Sequence, residues 1–298
     1  MENTENKELI GIVTDEAADL PQDLIERHQI GIVPLNVYWP EVESIPGENI
    51  FQKIREIEKR GIKAFAKTSQ PSPKDFLDIF KKQLEKFEKV ICLTITAKHS
   101  GTYNSGYQAK RFLGKEGERV FVVDSLNATC SQGLVVLKVV DLIKKKLKVE
   151  EILKELEKFL PEVHLAAFLS DPKWLEASGR ISSTIANLMR KMQNIGIRPL
   201  IGLKKGKITT IGLRTKTKDV PTALFRELEM KSRDLRKEGK KIRLAIAHGD
   251  NLEMAGKLKE MIERELRNIE IAFVNLIDDV LGVIAGPDAL VLAWAPAD

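Results

Sequence analysis

The amino-acid sequence predicts an α/β protein in two parts: a Rossmann-like α/β domain with a parallel sheet over residues 1–162, and an α+β domain with a mixed sheet over residues 163–298. Three observations carry this. Short all-apolar runs alternate with amphipathic segments through the first half, the order of repeated β–α units. After Pro161 that alternation gives way to hairpin signals mixed with helices. A chain of 298 residues is also long for one hydrophobic core.

Leu9–Val13 reads as the first strand, followed by the polar loop Thr14-Asp15-Glu16 and a helix opening near Pro21, a residue suited to the first helical position. Ile32–Val37 reads as a second strand, placed by Pro34 at an edge or an end. Asn49 to Arg60 has helical spacing (Ile50, Ile54, Ile57) and stops at Gly61. Ser72-Pro73-Lys74-Asp75 supplies an N-cap, a first-turn proline and a first-turn acid for a helix that aligns Phe76, Ile79, Phe80 and Leu84. Val90–Ile95 and Val120–Val123 are short apolar strands of the kind found in sheets covered on both faces. A helix through Tyr107 and Phe112 lies between them, and helices over 129–147 and 149–160 close this half.

In the second half, Leu165–Leu169 is a strand, and a helix runs from Pro172 to Ser178-Gly179-Arg180. Another helix covers Ser183–Met192. Ile197–Leu203 and Lys207–Leu213 flank Lys204-Lys205-Gly206, a hairpin with a turn glycine. One long charged helix over 218–238, a strand Ile242–Ala247, a helix over 251–267 and a strand Ile271–Ile277 complete the reading.

Composition narrows the function. Hydrophobic residues at 43% and charged residues at 31% describe a globular protein. The net charge of +5 comes from lysines interspersed with glutamates, which read as solvated helix faces. With 6% aromatics and no basic stripe among them, a nucleic-acid partner is not expected. Two cysteines without a CxxC and four histidines without ligand spacing give no metal site, and Cys92 reads as a buried small hydrophobe. No signal peptide or 18-residue apolar run is visible, so no transmembrane segment and a cytoplasmic location are expected. Abundant Lys and Glu with few Gln suit a thermophile.

Two stretches concentrate candidate chemistry: Thr68-Ser69-Gln70-Pro71-Ser72 and Ser100-Gly101-Thr102-Tyr103-Asn104-Ser105. Each is expected where an apolar segment gives way to a helix start, crowded with hydroxyls and free N–H groups, which makes an anion site. In a parallel α/β unit their separation brings both to one sheet edge. Their own chemistry does not separate a phosphate from a carboxylate, but GxxxxGK[ST] and GxGxxG are absent. Ser72 reads as a plain N-cap. Asp15 and Asp124 either hold local turns or order the anion-binding loops. Arg180 either satisfies the last carbonyls of its helix or projects towards the cleft or a partner. His99 reads as a solvated loop side chain rather than a proton-transfer group.

These residues resemble a known family in order along nearly the whole chain. Ile12-Val13-Thr14-Asp15, Ala18-Asp19-Leu20-Pro21, Val33-Pro34-Leu35, Lys67 to Ser72, Ser100 to Ser105, Val123-Asp124-Ser125, Gly179-Arg180-Ile181-Ser182 and Gly286-Pro287 are similar to segments of DegV family proteins. The resemblance implies a bacterial fatty-acid-binding protein of two α/β-type domains with a long-chain fatty acid, such as palmitate, between them. It implies that Thr68 and Ser100 hold the carboxylate. Some members carry acyl groups for a separate fatty acid kinase, so this chain would be a lipid carrier and possible kinase subunit, not an enzyme by itself, with no cofactor beyond its bound ligand. One segment departs from the pattern. Many members have His-Thr-Gly-Pro-Gly near the C-terminus, the histidine near the carboxylate, where this chain has Ile284-Ala285-Gly286-Pro287-Asp288.

The expected site is therefore Thr68 and Ser100 on the carboxylate, Ser69, Gly101 and Thr102 lining it, and Arg180 near the opening, with apolar residues of the second domain around the tail. Two other readings compete. One is an acyl hydrolase or transferase with Ser100 as nucleophile, for which Asp124 and His248 are the available partners although no GxSxG surrounds the serine. The other is a ligand-gated interaction protein for a different amphipathic anion.

Overall fold

The computed structural model describes residues 9–214 and 219–297. In chain order the first half contains β1 (Ile10–Asp15), α1 (Gln22–Arg27), β2 (Gly31–Val33), β3 (Asn36–Tyr38), α2 (Ile50–Lys59), β4 (Lys67–Ser69), α3 (Pro73–Leu84), β5 (Lys89–Thr94), α4 (Thr102–Phe112), β6 (Val120–Asp124), α5 (Thr129–Lys144) and α6 (Val149–Phe159). The second half contains β7 (His164–Phe168), α7 (Lys173–Ala177), α8 (Ser183–Asn194), β8 (Arg198–Lys204), β9 (Lys207–Arg214), α9 (Val220–Lys231), α10 (Arg233–Lys237), β10 (Ile242–His248), α11 (Leu252–Glu265), β11 (Ile269–Leu276), α12 (Asp279–Ala285) and β12 (Leu290–Pro296).

The first half forms a four-stranded parallel sheet in the order β2-β1-β5-β6. Because the chain moves from β1 to β2 on one side and returns to β5 on the other, a topological switch point lies beyond the carboxyl ends of β1 and β5, where α/β folds open a crevice. The second half forms a mixed six-stranded sheet, β11-β10-β12-β7-β8-β9, and β3 and β4 make a separate two-stranded ribbon.

Three readings of the sequence change. Pro34 does not end one strand but divides two: β2 sits at the edge of the parallel sheet, while β3 leaves it to pair with β4. The long charged helix breaks at Ser232, whose hydroxyl donates to Leu228 O at 2.6 Å, giving α9 and α10; its expected start at Lys218 lies outside the described residues. The segment after Ile277, beyond the last strand that the sequence pattern marks, supplies α12 and the strand β12, which runs antiparallel between β10 and β7 near the middle of its sheet. The capping box of α3 forms as its residues suggest: the Ser72 side chain accepts from Asp75 N, and Asp75 accepts from Ser72 N at 2.7 Å.

Helix α5 lies between the two large sheets. Leu134, Val135, Val136, Val139, Val140 and Leu142 are all buried, in one apolar cluster that takes in Ile12, Ile91 and Leu93 from one sheet and Ala245, Ala247, Val291 and Ala293 from the other. A helix apolar on nearly every face has to be enclosed on every face. Gly133 allows the approach: a Cβ there would stand 2.7 Å from Ala18 O and 2.8 Å from the Phe273 ring. Gln132 on the same turn donates to Thr14 Oγ1 at 2.9 Å and to Asp15 Oδ1 at 3.1 Å, tying the helix to the end of β1.

Polar contacts close the seam between the halves. Asp250 accepts from Arg55 of α2 at 2.5 Å and Asp288 at 3.1 Å, and Asn251 also donates to Asp288 at 2.9 Å. Asp288 stands where the family pattern has glycine. It keeps a left-handed backbone (φ 60°) and turns its carboxylate to Arg55. Elsewhere, Asp278 Oδ1 caps α12 through Val280 N and Leu281 N, and Asp278 N donates to Asp19 Oδ1 at 2.8 Å. The remaining oxygens, Asp19 Oδ2 and Asp278 Oδ2, are buried with no other partner among the described residues. The two buried carboxyls lie beside each other, which favours one proton shared between them over two charges. Burial pushes both above the usual carboxylate range, and burial likewise pushes Asp15 up to about 7.

These shifts give a pH dependence of defined sign. The folded state retains protons that unfolded aspartates release near 3.8, so this contribution is complete in acid and is lost as pH rises from there through about 7. Chemical denaturation of the ligand-free protein between pH 5 and 8 should show Asp278→Asn losing less stability with rising pH than wild type. A steeper loss in the variant would contradict the shared proton.

Candidate functional site

The loop after β5 forms at the switch point. Asp15, at the end of β1, accepts from Ile95 N at 2.8 Å, so one buried carboxyl fixes where β5 ends and the Ser100 loop begins. Asp124 holds its own turn, accepting from Leu126 N at 2.9 Å. Of the two roles open to these aspartates, Asp15 orders the start of the Ser100 loop and Asp124 makes a local turn. Ser100 and Thr102 share a hydrogen bond between their hydroxyls (2.7 Å), and Thr102 N donates to Ser100 Oγ at 3.3 Å.

Thr68 reaches the same place by a different route from the one expected. It lies in β4, paired with Val37 of β3, rather than at a helix start; α3 begins at Pro73 beyond it. Arg180, in the turn between α7 and α8, does both things open to it: Nη1 donates to Ser178 O at 2.8 Å and Nη2 to Thr68 Oγ1 at 3.3 Å. Burial presses its pKa downward, and no carboxylate pairs with it among the described residues. A half-buried guanidinium without a counter-ion is an attractive place for an anion.

These groups border a cavity of about 210 Å³. Thr68, Ser69, Ser100, Gly101 and Arg180 line it together with Gln70, Thr96 and His99. Thr102 does not: it is fully buried behind Ser100, with its hydroxyl spent on that serine. His99 is no solvated side chain. It is half-buried, and its Nε2 accepts from Ile208 N of β9 at 2.9 Å. Thr96 Oγ1 donates to Gly206 O at 3.0 Å, so the β8–β9 turn sits directly on the loop. Gly206 has φ 78°, and a Cβ there would meet Thr96 Oγ1 at 2.3 Å.

Six residues of the cavity's apolar side, Ala128, Leu175, Leu203, Ile208, Leu281 and Ile284, also border a neighbouring apolar recess of about 110 Å³, bounded further by Leu165, Ala167, Leu169, Ile201 and Val291. Most of these come from the second sheet and α12. Periodicity marks them as core residues and cannot say that their side chains border a space. Ile284 faces both chambers, so the position of the family histidine is an apolar wall here. A larger cleft of about 570 Å³ is bordered by Asp15, Glu16, Asp19, Asp278 and Asp279, which suits no anion.

The hydrolase constellation is not assembled. Asp124 and His248 do not line the Ser100 cavity, and His248 Nδ1 accepts from Asn251 N at 3.3 Å at the far end of β10. Among the described residues no group of three or more His, Cys, Asp or Glu side chains is disposed to hold a metal ion, and no helix is long and apolar enough to cross a membrane.

Known proteins share this fold over nearly the whole chain. Residues 9–297 match the family described as "Uncharacterised protein, DegV family". A DegV domain-containing protein of Clostridium acetobutylicum is 36% identical over 206 residues, 67% of this chain and 70% of that one. A protein of Thermotoga maritima named fatty acid-binding protein is 30% identical over 250 residues, 81% of this chain and 82% of that one. Among solved structures, a Thermus thermophilus DegV family protein, described for its fatty acid binding, superposes with a TM-score of 0.80 at 28% identity, covering 97% of this chain and 99% of that one. Sequence motifs, sheet topology and these matches agree that the chain belongs to the DegV family.

Proposed function

We propose that this protein binds and carries a long-chain fatty acid such as palmitate, with the carboxylate at Thr68, Ser100 and Arg180 and the tail in the apolar recess. The observation that carries the reading is the adjacency of a donor-rich chamber, bordered by a guanidinium with no carboxylate partner among the described residues, and a second chamber walled by aliphatic side chains that the two share. An amphipathic anion matches both halves. The names of the relatives support fatty acid as its identity. Burying the tail supplies most of the affinity, at about 0.8 kcal/mol per CH₂ before ordering costs. Arg180 and the two hydroxyls then fix which end goes where. Ser69 and Gly101 complete the rim, and Thr102 acts by holding the Ser100 hydroxyl.

In this reading the protein is not an enzyme by itself but the acyl-carrying partner of a separate fatty acid kinase. With Ile284 in place of an imidazole, presentation of the carboxylate to such a kinase falls to the N-terminal loops and Arg180. A nucleophilic Ser100 has less support, because its hydroxyl is engaged by Thr102 and no triad surrounds it. A serine-directed phosphonate should leave the protein unlabelled.

Mass spectrometry of the purified protein should release a long-chain fatty acid, and ligand-free protein should take up palmitate. Recovery of no fatty acid together with no uptake would refute the carrier reading. Thr68→Val and Ser100→Ala should each weaken palmitate binding about tenfold, as for loss of a hydrogen bond to a charged group. Their double variant should fall short of the product of the two effects, because both address one carboxylate. Titration calorimetry of Arg180→Met should show at least as large a loss as either hydroxyl variant; an unchanged affinity would remove the guanidinium from the site.

A further inference from the structure

His99 occupies a position that neither its loop nor its sequence neighbours announce. The ring borders the chamber shared by Thr68, Ser100 and Arg180, and its Nε2 is already taken as the acceptor for Ile208 N at 2.9 Å. A nitrogen that accepts a backbone N–H carries no proton, so a neutral ring in this place has its proton on Nδ1. The ring is held neutral by partial burial and by two facing cations, Arg180 from the α7–α8 turn and Lys207 from β9, all of which press its pKa down. The backbone of β9 therefore fixes the tautomer of a residue on the opposite wall.

We propose that His99 is a binding residue for the ligand head group, donating its Nδ1–H to the carboxylate while Nε2 remains anchored to Ile208 N. The assignment rests on the carrier reading and deepens it. The imidazole then works at both ends. One nitrogen reads the anion, and the other holds the strand whose Ile208 side chain, with Leu203 of β8, walls the apolar recess. Head-group recognition and enclosure of the tail are joined through one ring. The same arrangement answers the loss of the family imidazole at Ile284: an imidazole still borders this chamber, contributed by the first half of the chain.

Nitrogen-15 NMR of the ring in ligand-free protein should show the Nδ1–H tautomer, and adding palmitate should shift the His99 ring signals. Two variants separate the two ends, because a Gln amide reaches the Nε2 position and an Asn amide the Nδ1 position. His99→Gln should preserve slow hydrogen exchange at the Ile208 amide but bind palmitate about tenfold more weakly. His99→Asn should expose that amide to faster exchange and lose less affinity than His99→Gln. An Nε2–H tautomer, wild-type affinity in His99→Gln, or palmitate binding that leaves the His99 ring signals unmoved would overturn the assignment and leave the carrier reading intact. Failure of the wild type to bind palmitate would overturn both.

Discussion

Helix α5 has no free face, and the rest of the molecule is arranged around that constraint. Its valines and leucines require apolar partners in nearly every direction, so one sheet cannot satisfy it. The parallel sheet covers one side, and Ala245, Ala247, Val291 and Ala293 of the mixed sheet cover the other. Removing either sheet would expose a stripe of aliphatic side chains at about 25 cal/mol per Å², a penalty that holds the two halves against each other more firmly than their salt bridges can. The seam is an unavoidable consequence of how α5 is buried, and the proposed site lies along it. The carboxyl ends of β1 and β5 open there, and the second sheet brings its aliphatic face to the same place.

A ligand cavity at such a seam inherits different chemistry from its two walls. The first half contributes backbone turns, hydroxyls and His99, because loops at strand ends expose polar groups. The second contributes Leu203, Ile208, Leu281 and Ile284, side chains of elements that otherwise form core. Arg180 is the exception, a cation delivered from the second half to the polar wall. It is positioned by Ser178 O and Thr68 Oγ1, so the site is polarised without a buried carboxylate to neutralise it.

The sequence discloses these two walls unequally. Turn chemistry is local, so the Ser72 capping box, the Gly206 hairpin and the two hydroxyl-rich stretches are all visible in order along the chain. Short buried strands such as Val90–Leu93 are legible from composition. The seven residues of α12 are too few to establish a helical period, and β12, buried on both faces, shows an apolar run without alternation. Residues that wall the apolar recess carry no local mark, since Leu203 or Ile201 beside a cavity is identical in sequence to the same residue in solid core. The His99–Ile208 bond spans 109 positions, and no local pattern encodes a contact of that range.

The C-terminal segment from Ile284 to Asp288 departs from the pattern that the rest of the chain resembles. Ile284 and Asp288 lie four residues apart on either side of the Gly286-Pro287 turn, and each has taken on a packing or bridging role. Ile284 extends the apolar wall across both chambers, and Asp288 retains the left-handed backbone of a glycine while binding Arg55 and Asn251. Here the segment walls the apolar recess and ties α2 to the turn before β12. In the proposed carrier, a head group meets the guanidinium of Arg180 and the donors of the two N-terminal loops on one side of the cavity, while Leu203, Ile208, Leu281 and Ile284 keep the facing side apolar.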